Sequence, residues 1–337
     1  MTLRAFTNGY WDNEADVFKI TTPVVIFGDH TQVLKFVDFD FVLGADGVKI
    51  LQPREFLRPK FFYYQLQAAE MPTLGYARHY RLLKELAIPV PPLAEQQRIV
   101  GVLDEAFAGL ATAQANAEKN LQNARALFES HLQSVFTQRG DEIPLSELTT
   151  DITDGDHMPP PKAPSGVPFI TISNIVKRTR EIDFTDTFSV PKEYYENLKP
   201  NKKPRRGDVL YTVTGATLGI QVLVRQQIDF CFQRHIGLLR PKPDTDSEWL
   251  NYALLSPQVF RQATVGSTGT AQKTVSLAVL RNISVPRIRF SDQKKIATQL
   301  DALATETQRL ESLYEQKLAA LAALKKSLLH QAFTGEL

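Results

Sequence analysis

One cysteine, Cys231, is the whole thiol content of this chain, so no internal disulfide can hold it together. It lies in the apolar run from Ile228 to Phe232 and reads as a small core residue, which suits a reducing cytoplasm. Long apolar runs are also missing, and the longest fall far short of a membrane span. Met1 is not followed by a basic and then apolar export segment, because Asn8 to Asp16 is too polar. Charge imbalance is small: the net charge is +2, which excludes a uniformly basic polyanion binder but leaves room for local basic patches. Catalytic signatures are absent as well. There is no Gly-rich phosphate loop, no Ser/His/Asp or Cys/His grouping, and Met158-Pro159-Pro160-Pro161 lacks the leading amide or acid of an amino-methyltransferase motif. Asp154, Asp156 and His157 have metal-ligand chemistry, but Asp-Gly-Asp-His is more often a turn capped by its own side chains. These absences point away from an enzyme and toward binding.

What the chain does have is a repeat. Glu95-Gln96-Gln97-Arg98-Ile99 returns as Asp292-Gln293-Lys294-Lys295-Ile296. Gln96 and Gln293 are 197 residues apart, as are Asp104 and Asp301, and Phe136 and Phe333. With small gaps the match extends upstream: Ile88-Pro89-Val90-Pro91 corresponds to Ile283-Ser284-Val285-Pro286, and Phe61 to Leu66 corresponds to Trp249 to Leu254. One structural unit was built twice, and internal repeats govern the fold. The order is globular unit, long helix, globular unit, long helix.

Each helical segment carries an apolar stripe at alternating three- and four-residue steps. The first runs through Ile99, Leu103, Ala106, Leu110, Ala113, Ala117, Leu121, Ala124, Leu127 and Val135. The second runs through Ile296, Leu300, Leu303, Leu310, Tyr314, Leu321, Leu324 and Leu328. A stripe sustained this far reads as coiled coil, and ~40 residues at 1.5 Å each span about 60 Å. An Ala-rich seam against a Leu-rich seam favours pairing of the two unlike helices within one chain; two separate arms for self-association are the alternative. The spacing leaves the relative direction of the helices open.

The second globular segment alternates short β-rich runs with turns. Strands are expected at Val167–Ile172, Asp208–Val213, Gly219–Val224, Phe230–Phe232 and His235–Leu239, with one helix over Glu248–Gln262. In the first segment, strands are expected at Val24–Gly28, Val33–Val37 and Val48–Leu51, with a helix near Phe61–Gln67. The fold class is α+β.

The binding chemistry is basic and local. Lys177-Arg178-Thr179-Arg180 and the run containing Lys202, Lys203, Arg205 and Arg206 are solvated loops of the kind that also neutralise phosphates. Gln233, Arg234, His235, Thr270, Gln272 and Lys273 add side chains suited to DNA. Arg pairs with guanine and Gln with adenine in the major groove. Glu95, Gln96, Asp292 and Gln293 open the two helices, as caps first and as a partner-docking surface second.

These motifs carry a family resemblance. Ile88 to Ile99 with its repeat at Val285 to Ile296, Asp154-Gly155-Asp156-His157, Gly166 to Ile170, Gly207-Asp208-Val209-Leu210 and the ending His330 to Leu337 resemble the specificity subunits of type I restriction-modification systems. The resemblance implies two mixed α/β target-recognition domains separated by two long antiparallel coiled-coil helices. It implies a first domain at 1–92, N-terminally shortened, a first spacer helix at 93–139, a second domain at 140–290 and a second spacer helix at 291–337. The chain is then a non-catalytic, cytoplasmic subunit that reads a bipartite sequence in double-stranded DNA. Its partners are two modification (methyltransferase) subunits, with restriction (translocase/nuclease) subunits beside them, and no membrane is involved. S-adenosylmethionine, ATP and Mg belong to those partners, and this chain holds no cofactor or metal. Two other readings compete: a coiled-coil scaffold that binds no DNA, and a stand-alone enzyme with an unrecognised site.

Overall fold

Val24-Val25-Ile26-Phe27 is the most apolar run of the first segment, and it becomes the central strand of a three-stranded sheet. The computed structural model describes residues 13–337 except 45–46, 76, 138–139 and 270–272. The chain forms two compact units, Met1–Leu121 with Ser312–Leu337, and Gln122–Glu311.

The first unit contains β1 (Val17–Phe18), β2 (Val24–Gly28), β3 (Leu34–Val37), β4 (Phe41–Val42) and β5 (Val48–Leu51), then α1 (Pro59–Ala68), α2 (Tyr80–Glu85) and the opening turns of α3 (Leu93–Phe136). The antiparallel sheet runs β3-β2-β5, and β1 pairs with β4. Val25 and Phe27 pack on Leu66 and Leu83 of α1 and α2. Pro59 at the first helical position costs α1 nothing, since that N–H has no intrahelical partner. α2 was not expected. It is tied down by buried His79, whose Nδ1 donates to the Asp29 carbonyl while Nε2 accepts from the Leu74 N–H.

The second unit contains β6 (Glu142–Pro144), α4 (Leu145–Leu148), β7 (Thr149–Asp154), β8 (Val167–Ile170), β9 (Ile175–Val176), β10 (Glu181–Ile182), β11 (Phe188–Val190), α5 (Lys192–Glu196), β12 (Val209–Thr212), β13 (Gln221–Leu223), β14 (Cys231–Phe232) and β15 (Ile236–Pro241). α6 (Ser247–Leu255), α7 (Pro257–Val265), α8 (Leu277–Asn282), β16 (Ser284–Pro286) and the opening of α9 (Phe290–Thr334) complete it. The main antiparallel sheet has the order β13-β12-β15-β7, and a second sheet has the order β11-β8-β14. All of Val209-Leu210-Tyr211-Thr212 is buried because both faces of β12 are covered. Val209 and Tyr211 pack with Trp249, Leu250 and Leu280, while Leu210 packs with Ile170, Phe230 and Phe232. Cys231 is buried among Val167, Phe169, Val190 and Tyr195, and burial pushes its thiol pKa up to about 12.

Two expected elements differ. The helix over Glu248–Gln262 is two helices, α6 and α7. Pro257 offers no N–H and drives Ser256 into extended backbone (ψ 143°), where its side chain caps α7 by accepting from the Val259 N–H. The strand from Val167 stops at Ile170, because Thr171 and Asn174 form a capping box that turns Ile172–Asn174 into a short 3-10 helix.

α3 and α9 are 44 and 45 residues long. They pair antiparallel in both units. In the first, Arg98 donates to the carbonyl of Leu337 (2.8 Å) and Lys325 lies 5.0 Å from the Phe107 ring. In the second, Arg125 meets Glu311 (3.0 Å), and Leu132 and Phe136 share a core with Ala297 and Leu300. The seam buries Leu103, Ala117 and Ala124, as expected. Leu127 and Leu324 are not in it: they are 52% and 48% exposed. The α-helical period exceeds a strict 3.5-residue repeat, so the seam steps from Ala124 to Phe128 and Leu132 and leaves Leu127 outside.

Candidate nucleic-acid interface

Four loops of the second unit meet at one end of the main sheet. β7 finishes there at Asp154 opposite Gly237, β12 at Thr212 opposite Ile236, and β13 begins with Gln221 opposite Tyr211. Asp156 bridges to Gln233, and the Arg234 N–H donates to the Asp156 carbonyl (3.1 Å). The Val213 N–H donates to the His235 carbonyl (3.0 Å), and the Gly215 N–H donates to the Lys273 carbonyl (3.1 Å). The β9–β10 hairpin joins them, since Arg180 donates to the Gln221 side-chain oxygen.

Close approach of these loops depends on Gly155. A Cβ there would lie 1.9 Å from the Phe232 carbonyl oxygen, so only glycine fits. Around it, His157 and Asp154 pair with each other (2.8 Å), while Asp156 accepts from the Tyr194 hydroxyl. Burial, and then Asp156, raises the Tyr194 pKa above its ordinary value.

The candidate DNA residues separate into three groups. Lys177, Arg178, Arg234 and Lys273 are exposed at this end, with Arg180, Gln233 and His235 partly buried beside them. Lys202 also reaches this end but is engaged: it donates to the Gly155 carbonyl (2.9 Å) and sits 3.9 Å from Asp154. Lys203 donates to the Glu196 carbonyl and lies 5.0 Å from the Tyr195 ring. Arg205 and Arg206 are exposed at the opposite end of β12, where the Arg205 N–H donates to Asp208, the partner of Arg240 (2.8 Å). The densest basic run of the sequence is therefore not one patch. Thr270 and Gln272 lie outside the described residues.

At the helix starts, Glu95 is half-buried and pairs with Arg98 (2.7 Å), whose hydrogen bond holds the Glu95 carboxyl below its usual range. Asp292 pairs with Lys295 (3.2 Å). Gln96 and Gln293 are buried and present no docking surface, which corrects the expectation for these two residues. They do not cap their helices either. Gln96 accepts from the Arg58 N–H and donates to the carbonyls of Phe56 and Pro91; Gln293 accepts from the Asp246 N–H and donates to the Ile288 carbonyl. A loop arriving from far upstream covers each side chain, and nothing local in the sequence signals that cover.

The same contacts recur in each unit. The Tyr64 hydroxyl donates to Asp104 (2.6 Å) in the first and the Tyr252 hydroxyl to Asp301 (2.6 Å) in the second. Phe61 meets Phe333 at 5.3 Å, and Trp249 meets Phe136 at 5.9 Å. Sequence reasoning found the repeat and the Asp154-Gly155-Asp156-His157 turn, but not these contacts, nor Gln221 at the loop cluster.

A family model described as type I restriction modification DNA specificity domain matches residues 135–319, more than half of the chain. Among curated proteins the chain is similar to the type I restriction enzyme EcoBI specificity subunit of Escherichia coli, 24% identical over 286 residues, covering 76% of this chain and 60% of that protein. It is also similar to the MjaVIII specificity subunit of Methanocaldococcus jannaschii, 22% identical over 323 residues, covering 88% of this chain and 74% of that one. The chain thus spans less than two thirds of the EcoBI protein's length. Two solved structures share the fold. One comes from work on complex assembly and conformational transition of the type I R-M system (TM-score 0.74, 22% identity, 95% of this chain and 85% of that chain). The other is the HsdS subunit from Thermoanaerobacter tengcongensis (TM-score 0.59, 22% identity, 94% and 81%).

Proposed function

The chain belongs to the type I restriction-modification DNA specificity family, and from that premise we propose that it is the address-reading, non-catalytic subunit of a type I restriction-modification complex. It reads a bipartite site in double-stranded DNA and docks two methyltransferase subunits, which supply S-adenosylmethionine chemistry, while restriction subunits supply ATP- and Mg-dependent work. The loop cluster around Gly155, Gln233 and Lys273 meets one half-site. Exposed lysines and arginines set the register on phosphates, and base edges are read from the same loops.

The observation that carries this reading is the duplicated anchor. Tyr64–Asp104 with buried Gln96, and Tyr252–Asp301 with buried Gln293, fix each globular segment to its own long helix by the same bonds. A bipartite target suits two readers, each held rigidly to a stiff element. Among the described residues no helix is long and apolar enough to cross a membrane.

A gel shift of the full chain on genomic duplex fragments, with and without the methyltransferase partner, tests the reading. Salt-sensitive binding is expected, with log affinity falling linearly in log salt. Mapping methylation in the host genome with the gene present and deleted then names the site: one bipartite motif should lose its methylation. Unchanged methylation together with no salt-dependent DNA affinity sinks the proposal.

A further inference from the structure

We propose that Arg180 is a base-reading arginine directed at guanine in the major groove, and that Gln221 is the residue that positions it; the inference rests on the DNA-reading function above. β9 and β10 are a short hairpin whose Ile175 and Ile182 are buried in the core of the unit, so it holds its tip firmly at the surface. Its tip, residues 177–180, carries Lys177, Arg178 and Arg180, and closes with the Arg180 N–H donating to the Val176 carbonyl (2.8 Å). Arg180 takes φ +54°, the left-handed conformation that a tip normally gives to glycine or asparagine. An arginine held there at a conformational cost is expected to serve a purpose that glycine cannot.

The setting of its side chain says which purpose. Among the described residues no carboxylate pairs with Arg180, in contrast to Arg98, Arg225 and Arg240. Its one side-chain partner is the neutral oxygen of Gln221, whose side chain is fully buried. Only the amide oxygen can accept from a guanidinium, so the amide orientation is fixed, and its Nε2 is left with no partner. A neutral acceptor steers the guanidinium without neutralising it, whereas a carboxylate there would compete with DNA. Burial lowers the Arg180 pKa, as expected of a cation still lacking its counter-charge. One N–H of five is spent on Gln221, which leaves donors for the O6 and N7 of guanine. Lys177 and Arg178 are exposed and have no such guide, so they contact phosphate, which needs charge but not orientation.

The test is selection of bound sequences from a randomised duplex pool by the full chain, followed by salt titration on the winning sequence. The wild type should show a column dominated by guanine. Arg180→Lys keeps the charge and loses the fork, so that column should flatten, with discrimination falling roughly five- to hundredfold, while other columns and the salt slope stay. Gln221→Met, checked for folding by its thermal melt, should weaken the same column without reducing affinity for unrelated duplex. Lys177→Ala should keep every column and lower the log–log salt slope by about one. If Arg180→Lys leaves all columns as in the wild type, Arg180 is a phosphate contact and this inference falls while the DNA-reading function stands. If the wild type selects no sequence and binds without salt dependence, both fall.

Discussion

A buried glutamine is tolerable only when its amide is used at both ends, and Gln96 and Gln293 meet that condition in the same way. Each accepts from a backbone N–H of its globular segment and donates to a carbonyl just before its helix. The tyrosine–aspartate bonds beside them are charge-assisted, and a hydrogen bond to a charged group contributes about 1.5–3 kcal/mol. Tyr252→Phe should therefore destabilise the chain by about 2 kcal/mol in urea unfolding, and Tyr64→Phe by somewhat less, because Lys60 still pairs with Asp104 (2.8 Å). Burial, and next the neighbouring aspartate, raises the pKa of both tyrosines above the ordinary 10.0. The folded state thus keeps protons that the unfolded chain releases above pH ~10. Their stabilisation is whole below that pH and is lost as pH rises toward the folded-state values. Between pH 8 and 11 the double phenylalanine variant should lose less stability than the wild type; an equal loss would show that these tyrosines stay accessible to alkali.

At the scale of elements, legibility followed locality. β2 and β5 have the bounds that apolar runs and flanking turns predicted, Val24–Gly28 and Val48–Leu51. The stripes of α3 and α9 were readable because a helix repeats its face every few residues. α2 escaped notice, since six residues held by a buried histidine leave no periodic trace. Within the candidate interface, the basic tip at 177–180 was visible as composition, but its link to Gln221 spans 41 positions and exists only once β13 is placed beside β12. The loop cluster has a sharper test at Gly155. Its missing Cβ is what lets the turn after β7 touch the Phe232 carbonyl. Gly155→Ala must displace backbone, at an expected cost of about 1–3 kcal/mol in the range of overpacked sites. The loss should show as a lower unfolding midpoint and, because Gln233 and Arg234 move with that turn, as weaker DNA affinity. Full affinity in a stably folded Gly155→Ala protein would mean that the cluster does not touch DNA.

Across the whole molecule, the repeat leaves equivalent apolar positions exposed in both units. Each unit exposes two separate apolar residues on its helical part, one on each helix: Leu93 (45% exposed) and Leu324 (48%) in the first, Phe290 (36%) and Leu127 (52%) in the second. Leu93 and Phe290 are 197 residues apart, and so are Leu127 and Leu324. Single exposed apolar residues need no explanation, but the same positions are exposed in both copies, so a partner that meets one set finds the other as well. Under the proposed function that partner is the methyltransferase subunit. Substituting glutamate for one pair, Leu93 and Leu324, should reduce the assembled complex from two methyltransferase subunits per chain to one, read by native mass spectrometry. The Phe290 and Leu127 pair should do the same, and all four together should leave the chain alone. Surface changes of this kind seldom shift stability by more than about 0.5 kcal/mol, so each variant should fold and should still bind duplex DNA through the loops of the second unit. A fourfold variant that still carried two partners would remove these positions from the assembly and leave half-buried Glu95 and Asp292, at the helix starts, as the next surface to test.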